Sequence, residues 1–136
     1  MKKILIDSGP LIALFDKSDK YHESAIKFIQ NNKLPLITTI ASITETLHLL
    51  DFNRNAQIDF LEWINNGALE IQNIEISDFN RIKGLTEKYR DLPMDFADSC
   101  LVFLAEKLNI NTIVTIDIDF SIYRIKDKNT FEIIYL

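Results

Sequence analysis

Apolar residues recur along this chain with two alternating periods, and each change of period predicts a change of element. The run Ile4-Leu5-Ile6 reads as a short buried strand, closed by the turn residues Asp7-Ser8-Gly9-Pro10. Pro10 suits the first turn of a helix running to Phe15. Ala25, Phe28 and Ile29 form an i, i+3, i+4 stripe that predicts a helix over 19–31 with Asp19 as its cap. A strand over 36–38 leads into a helix over 40–50 whose stripe is Ile43, Leu47 and Leu50. The next helix begins at Asn53, carries Ile58, Leu61 and Ile64 as its stripe, and is stopped by Gly67. Positions 69–74 alternate in the manner of a half-exposed edge strand, and Ser77-Asp78 opens a helix that ends before Leu92-Pro93. An apolar helix over 95–108, a β-branched strand over 112–116 and a last strand over 131–135 complete the pattern. Strands alternating with helices predict an α/β domain, a three-layer α/β/α arrangement around a mainly parallel sheet.

Composition narrows the class. With three Gly and three Pro in 136 residues there is no linker-rich or low-complexity stretch, and one domain over 1–136 is expected. Asp and Glu outnumber Lys and Arg by 20 to 15, giving a formal net charge of -5. That excludes a basic nucleic-acid coat but leaves room for a local basic patch. The single Cys100 excludes an intramolecular disulfide and a Cys-based zinc cluster, and fits a reducing cytosol. The apolar run after Lys2-Lys3 ends at Asp7, short of the roughly 7–15 apolar residues of a signal peptide. The longest apolar run, Cys100 to Ala105, is far below the ~18 residues of a membrane span. A soluble, cytoplasmic protein with no membrane partner is expected.

The acids carry the chemistry. In an open parallel sheet, ligands bind beyond the carboxyl ends of the strands. Asp7 and Asp117 directly follow two predicted strands, although each also suits a cap or a turn. Glu45 falls about one and a half turns into the helix after the second strand, on a face shared with Ala41 and His48. Asp98 falls in the first turn of the helix before the 112–116 strand, so all four acids can face one end of the sheet. Asp98 is the most telling, because eight of the ten residues from Phe96 to Ala105 are apolar. A carboxylate in so buried a helix is costly unless it is paired or bound to a metal. No Lys or Arg accompanies the four acids in their motifs. Oxygen-only ligation favours Mg²⁺ or Mn²⁺ over zinc, and an acidic cluster holding such ions suits phosphodiester cleavage.

Five ordered pieces of the chain resemble the PIN-domain nucleases, especially the VapC-type ribonuclease toxins. They are the stretch from Leu5 to Leu14, Asp19 with Tyr21-His22-Glu23, the stretch from Thr38 to Glu45, Leu92-Pro93-Met94-Asp95-Phe96-Ala97-Asp98, and Thr115-Ile116-Asp117. The resemblance implies a metal-binding acidic site with Asp7, Glu45, Asp98 and Asp117 as its acids. It places Ser8 and Thr115 at the small hydroxyl positions beside the first and fourth, and Asp95 and Asp119 as secondary acids. The close spacing of Asp117-Ile118-Asp119-Phe120 departs from a common family form, leaving open which of the two Asp residues is the fourth acid. The implied activity is divalent-metal-dependent endoribonuclease cleavage by a homodimer restrained by a small antitoxin protein.

The remaining candidates are weaker. The resemblance puts His22 outside the acidic site, in a structural role, and a lone His48 makes no metal set. Phe60, Leu61 and Trp63 on one helix read as core or interface. Arg81, Lys83, Lys88 and Arg90 form a basic helix that is either a solvated face or a guide for RNA phosphates. A rival reading keeps the fold but only binds RNA or a partner. Another is a receiver or a phosphatase with an Asp nucleophile. The phosphatase wants a second Asp where Gly9 stands, and the receiver wants paired acids and a Lys that the sequence does not place.

Overall fold

β1 (Ile4–Ile6) lies at the centre of a five-stranded parallel sheet, flanked by β2 (Leu36–Thr39) on one side and β4 (Thr112–Thr115) on the other. β3 (Glu70–Gln72) and β7 (Glu132–Tyr135) form the edges, giving the order β3-β2-β1-β4-β7. The arrangement comes from a computed structural model that describes residues 2–136. Because β1 to β3 run outward to one side and β4 starts again on the other, the order reverses between β1 and β4. Such a reversal leaves a crevice at the carboxyl ends of the two strands.

The strands alternate their side chains between two apolar layers. Ile4, Ile6, Leu36 and Val114 face α1 (Ser8–Phe15), α2 (His22–Asn31), α3 (Ile40–Leu49) and α4 (Arg54–Asn65). Leu5, Ile37 and Ile113 face α5 (Phe79–Lys88) and α6 (Phe96–Leu108). These two layers of helices around one parallel sheet are the expected three-layer α/β/α architecture. Fully burying each Leu or Ile contributes about 1.5–3 kcal/mol, so both layers stabilise the packing of the sheet against its helices.

Several local expectations need correction. Asp19 does not cap α2, whose N-cap is Tyr21 without a side-chain hydrogen bond; the Asp19 carboxylate instead accepts from Tyr21 N–H at 2.8 Å, one turn earlier. Of the stripe Ile58, Leu61, Ile64, only Ile64 packs against the core on α4. Ile58 and Leu61 are exposed, while Ala56 and Phe60 are buried and Trp63 packs with Phe15 and Phe60. The aromatic rings fill the layer and set the rotation of the helix, overriding the aliphatic spacing. Before α5 stands a 3₁₀ turn (Ile76–Asp78), closed by reciprocal bonds between Glu75 and Asp78. The segment after β4 forms a 3₁₀ turn (Ile118–Ser121) and then an antiparallel hairpin, β5 (Arg124–Ile125) with β6 (Asn129–Thr130).

That hairpin is held by charges. Lys126 and Asp127 both have positive φ, and the Glu106 carboxylate accepts from Lys126 N–H. Arg81 makes a two-pronged bond to Glu106, at 2.9 and 2.8 Å, and reaches Asp127 at 3.1 Å. Lys88 also meets Asp127, at 2.8 Å. Arg81→Gln is therefore expected to destabilise the protein by about 1–3 kcal/mol, since it strands the largely buried Glu106 carboxylate without its cation. Urea denaturation checks this: an unchanged midpoint rules out the strut role.

Candidate functional site

Asp7 is the N-cap of α1, and its carboxylate accepts from Ser8 N–H at 2.8 Å. The capping role and the site role thus fall on the same side chain. Gly9 eases this placement: a Cβ there would lie 2.6 Å from Ile116 Cγ1, so glycine lets the start of α1 press against the Ile116 side chain just past β4. Across that contact, the Thr115 hydroxyl donates to Asp7 Oδ2 at 2.9 Å and accepts from Asp117 N–H at 2.9 Å. Thr115 therefore ties the first acid to the backbone of the fourth.

Asp98 comes from the first turn of α6, where Asp95 is the N-cap and accepts from Asp98 N–H at 2.9 Å. Oxygen atoms of Asp7, Asp98 and Asp117 all lie within 4.8 Å of one another. Asp7 and Asp98 are buried, and Asp117 is half-buried. Asp119 falls outside this group; its N–H donates to Asp117 Oδ1 at 2.9 Å, which shapes the turn. Glu45 also stands outside the trio. Ser8 Oγ donates to its carboxylate in a short contact, and Asp95 lies beside it. A buried tyrosine was missed by the sequence reasoning: Tyr123 O–H donates to Asp98 Oδ2 at 3.2 Å.

The electrostatics follow from burial and like charge. Burial pushes Asp7 up to about 6, helped by the charges of Glu45 and Asp117 and opposed by the bonds from Ser8 and Thr115. Asp98 rises further, to about 8, through burial and then the charges of Asp7, Asp95 and Asp117. Glu45 is also raised, first by burial. Among the described residues, none of the ion pairs reaches any of these acids. Three carboxylates crowded together without a cation form a donor set suited to a hard divalent ion with oxygen ligands. The fit is to such an ion, and to neither a thiolate nor an imidazole metal.

Beside the trio opens a cleft of about 850 Å³ that shares Glu45 and Asp95 with the site and is walled by Ile40, Phe79 and Phe96. Exposed His48 lies on its rim, away from the three carboxylates. His22 has the expected structural place, its ring Nδ1–H donating to Ala13 C=O at 2.7 Å and fastening α2 to α1. Of the basic helix, Arg81 and Lys88 are engaged by Glu106 and Asp127, whereas exposed Lys83 has only a 3.6 Å approach to Glu87. Exposed Arg90 bonds the Glu87 carbonyl at 3.3 Å.

Residues 4–126 match the model of the PIN domain family. A curated relative, Ribonuclease VapC26 of Mycobacterium tuberculosis, is 25% identical over 116 residues, 84% of this chain and 86% of that one. Among solved structures, the sarcin-ricin loop cleaving toxin VapC20 of M. tuberculosis aligns with a TM-score of 0.81 at 16% identity, over 93% of this chain and 98% of its own. VapBC2 from Rickettsia felis, bound to a DNA fragment from its promoter, aligns with a TM-score of 0.65 at 15% identity over 98% of both chains. These two likenesses concern the fold, and the family match covers nearly the whole length. The chain belongs to the PIN-domain family.

Proposed function

We propose that this protein is a divalent-metal-dependent endoribonuclease of the VapC type, and the toxin of a toxin–antitoxin pair. The observation that carries the reading is the trio of Asp7, Asp98 and Asp117, crowded within 4.8 Å at the strand-order reversal with no cation to balance it. The curated ribonuclease relative supports RNA as substrate. Asp7, Asp98 and Asp117 would hold Mg²⁺ or Mn²⁺, and Glu45 would complete the acid set from the cleft side. The chemistry such an ion would supply when bound is activation of a water and stabilisation of charge on the phosphate. Thr115 keeps one Asp7 oxygen aimed, and Ser8 does the same for Glu45. Asp95 holds the α6 start, and Asp117 itself holds the turn after β4 by accepting from Asp119 N–H, with the Asp119 carboxylate outside the trio as a secondary acid.

RNA lies along the cleft, and the exposed charges of Lys83 on α5 and Arg90 in the turn after it are the ones left for phosphates; Arg81 and Lys88 are spent on the hairpin. The partners are a small antitoxin protein, in line with the solved toxin–antitoxin complexes that share the fold, and a second copy of the chain. Two sets of exposed apolar side chains are open to them: Leu49, Phe52, Ile58 and Leu61 on α3, α4 and the turn between them, and Ile40, Phe79 and Phe96 at the cleft. No helix among the described residues is long and apolar enough to cross a membrane.

The test is cleavage of structured RNA by the purified, antitoxin-free chain. Cutting is expected with Mg²⁺ or Mn²⁺ and is expected to stop in EDTA; cutting that persists in EDTA, or none on any RNA, overturns the reading. In the same assay Asp117→Asn is expected to lose at least ~100-fold in rate and Asp119→Asn about tenfold or less, as direct ligation and outer support differ. The reverse order makes Asp119 the fourth acid.

A further inference from the structure

We infer that Tyr123 is a positioning residue for the metal site: its hydroxyl fixes Asp98 and locks α6 to the segment that carries Asp117. The inference rests on the metal reading above and concerns a residue outside the acid set. Tyr123 is fully buried, and its O–H donates to Asp98 Oδ2 at 3.2 Å. A buried phenol whose single donor is aimed at a carboxylate restricts how that carboxylate can turn. Asp98 also places an oxygen within 4.8 Å of oxygens of Asp7 and Asp117, so the bond holds the same carboxylate that reaches them.

The tyrosine is itself held rigidly. Its ring packs edge-on against Tyr89 and Phe120, each with centroids 5.1 Å apart. Its backbone N–H donates to Asp119 C=O at 3.2 Å. Asp117 caps the 3₁₀ turn that ends just before Tyr123, so one short segment presents both the Asp117 carboxylate and the Tyr123 hydroxyl. Asp98 arrives from a different element, α6. The single bond between Tyr123 and Asp98 therefore sets the distance between two acids that no local hydrogen bond connects. Thr115 performs the corresponding task for Asp7 and Asp117. The two hydroxyls together tie the three carboxylates into one unit.

Tyr123→Phe removes the hydroxyl and keeps the ring. Calorimetric titration with Mn²⁺ is expected to show a dissociation constant roughly 10-fold or more above wild type, the usual scale for losing an orienting partner of a ligand. In RNA cleavage, kcat is expected to fall with KM for RNA unchanged, and the metal-free protein to stay folded with a melting temperature lower by a few degrees, the scale of one buried hydrogen bond. Tyr89→Phe is the control: it deletes a hydroxyl from the same aromatic group, one that accepts from Arg124 N–H and touches no acid. Its Mn²⁺ affinity is expected to equal wild type. If Tyr123→Phe binds Mn²⁺ as tightly as wild type, or if Tyr89→Phe weakens binding equally, the positioning role is overturned while the metal site stands. If wild type itself binds no Mn²⁺, the metal reading falls and this inference falls with it.

Discussion

Asp98→Asn is expected to abolish RNA cleavage and, at the same time, to raise the melting temperature of the metal-free protein at pH 7.5. The two effects have one cause. Asp98 is 6% exposed, sits in the first turn of an apolar helix and faces the charges of Asp7, Asp95 and Asp117. With its carboxyl pushed up to about 8, ionising it near neutral pH opposes folding when no cation is present. An amide of the same shape keeps an acceptor for the Tyr123 hydroxyl and removes the charge. The gain is on the order of 1–3 kcal/mol, or roughly 3–10 °C for a chain of this length. The same change deletes a ligand oxygen's charge, so activity is expected to drop by at least ~1,000-fold. Differential scanning fluorimetry in EDTA, run beside the cleavage assay, separates the two. An acid that served only the fold would show the opposite sign, a lower melting temperature.

Metal-free wild type is expected to lose stability as pH rises from 5 to 8, by several degrees in melting temperature, and Mn²⁺ is expected to restore it at the upper end. Asp7 and Asp98 hold their protons more tightly folded than unfolded, up to about 6 and about 8 against an ordinary 3.8. Between those limits the folded protein binds more protons than the unfolded chain, so stability falls as pH rises. The contribution is fully present below 3.8 and is gone once pH passes about 8. Asp127 shifts the other way, held down by Lys88 and Arg81, and its loss of stability lies below 3.8, outside the window. A cation that binds only the assembled carboxylates adds stability in proportion to its occupancy. A pH series of melting curves in EDTA and in Mn²⁺ checks both halves; a metal-free stability that is flat or rising from pH 5 to 8 contradicts the reading.

How much of this was legible in the sequence depended on how far apart the cooperating residues lie. Asp7 and Asp117 were legible because each ends a strand, and the end of a parallel strand is where side chains reach the crevice. Asp98 was legible because a charge inside an apolar helix is locally anomalous. The parallel sheet and its helices followed from the change of period alone. Ile58 and Leu61 misled because their spacing is right for a buried stripe, yet the bulk of Phe60 and Trp63 turns α4 by part of a turn. The β5–β6 hairpin was invisible because its positive-φ positions are Lys126 and Asp127, held by Glu106 and Arg81 from other helices instead of by glycine. Tyr123 gave no signal either: its partner lies 25 positions away, and among Ile118, Phe120, Ile122 and Ile125 it reads as one more apolar side chain. The engagement of Arg81 by Glu106 is of the same kind, a pairing of residues 25 positions apart that a basic helix does not announce.

The most direct test of the central claim is a calorimetric titration of Mn²⁺ into the purified chain at pH 7.5, with Asp98→Asn and Asp119→Asn beside it. Saturable binding is expected in wild type, retained in Asp119→Asn with at most a modest loss of affinity, and lost in Asp98→Asn, because Asp98 is one of the three carboxylates gathered within 4.8 Å and Asp119 is not. Wild type that takes up no Mn²⁺, or an Asp98→Asn variant that takes it up equally well, would show that the buried acids are not a metal site.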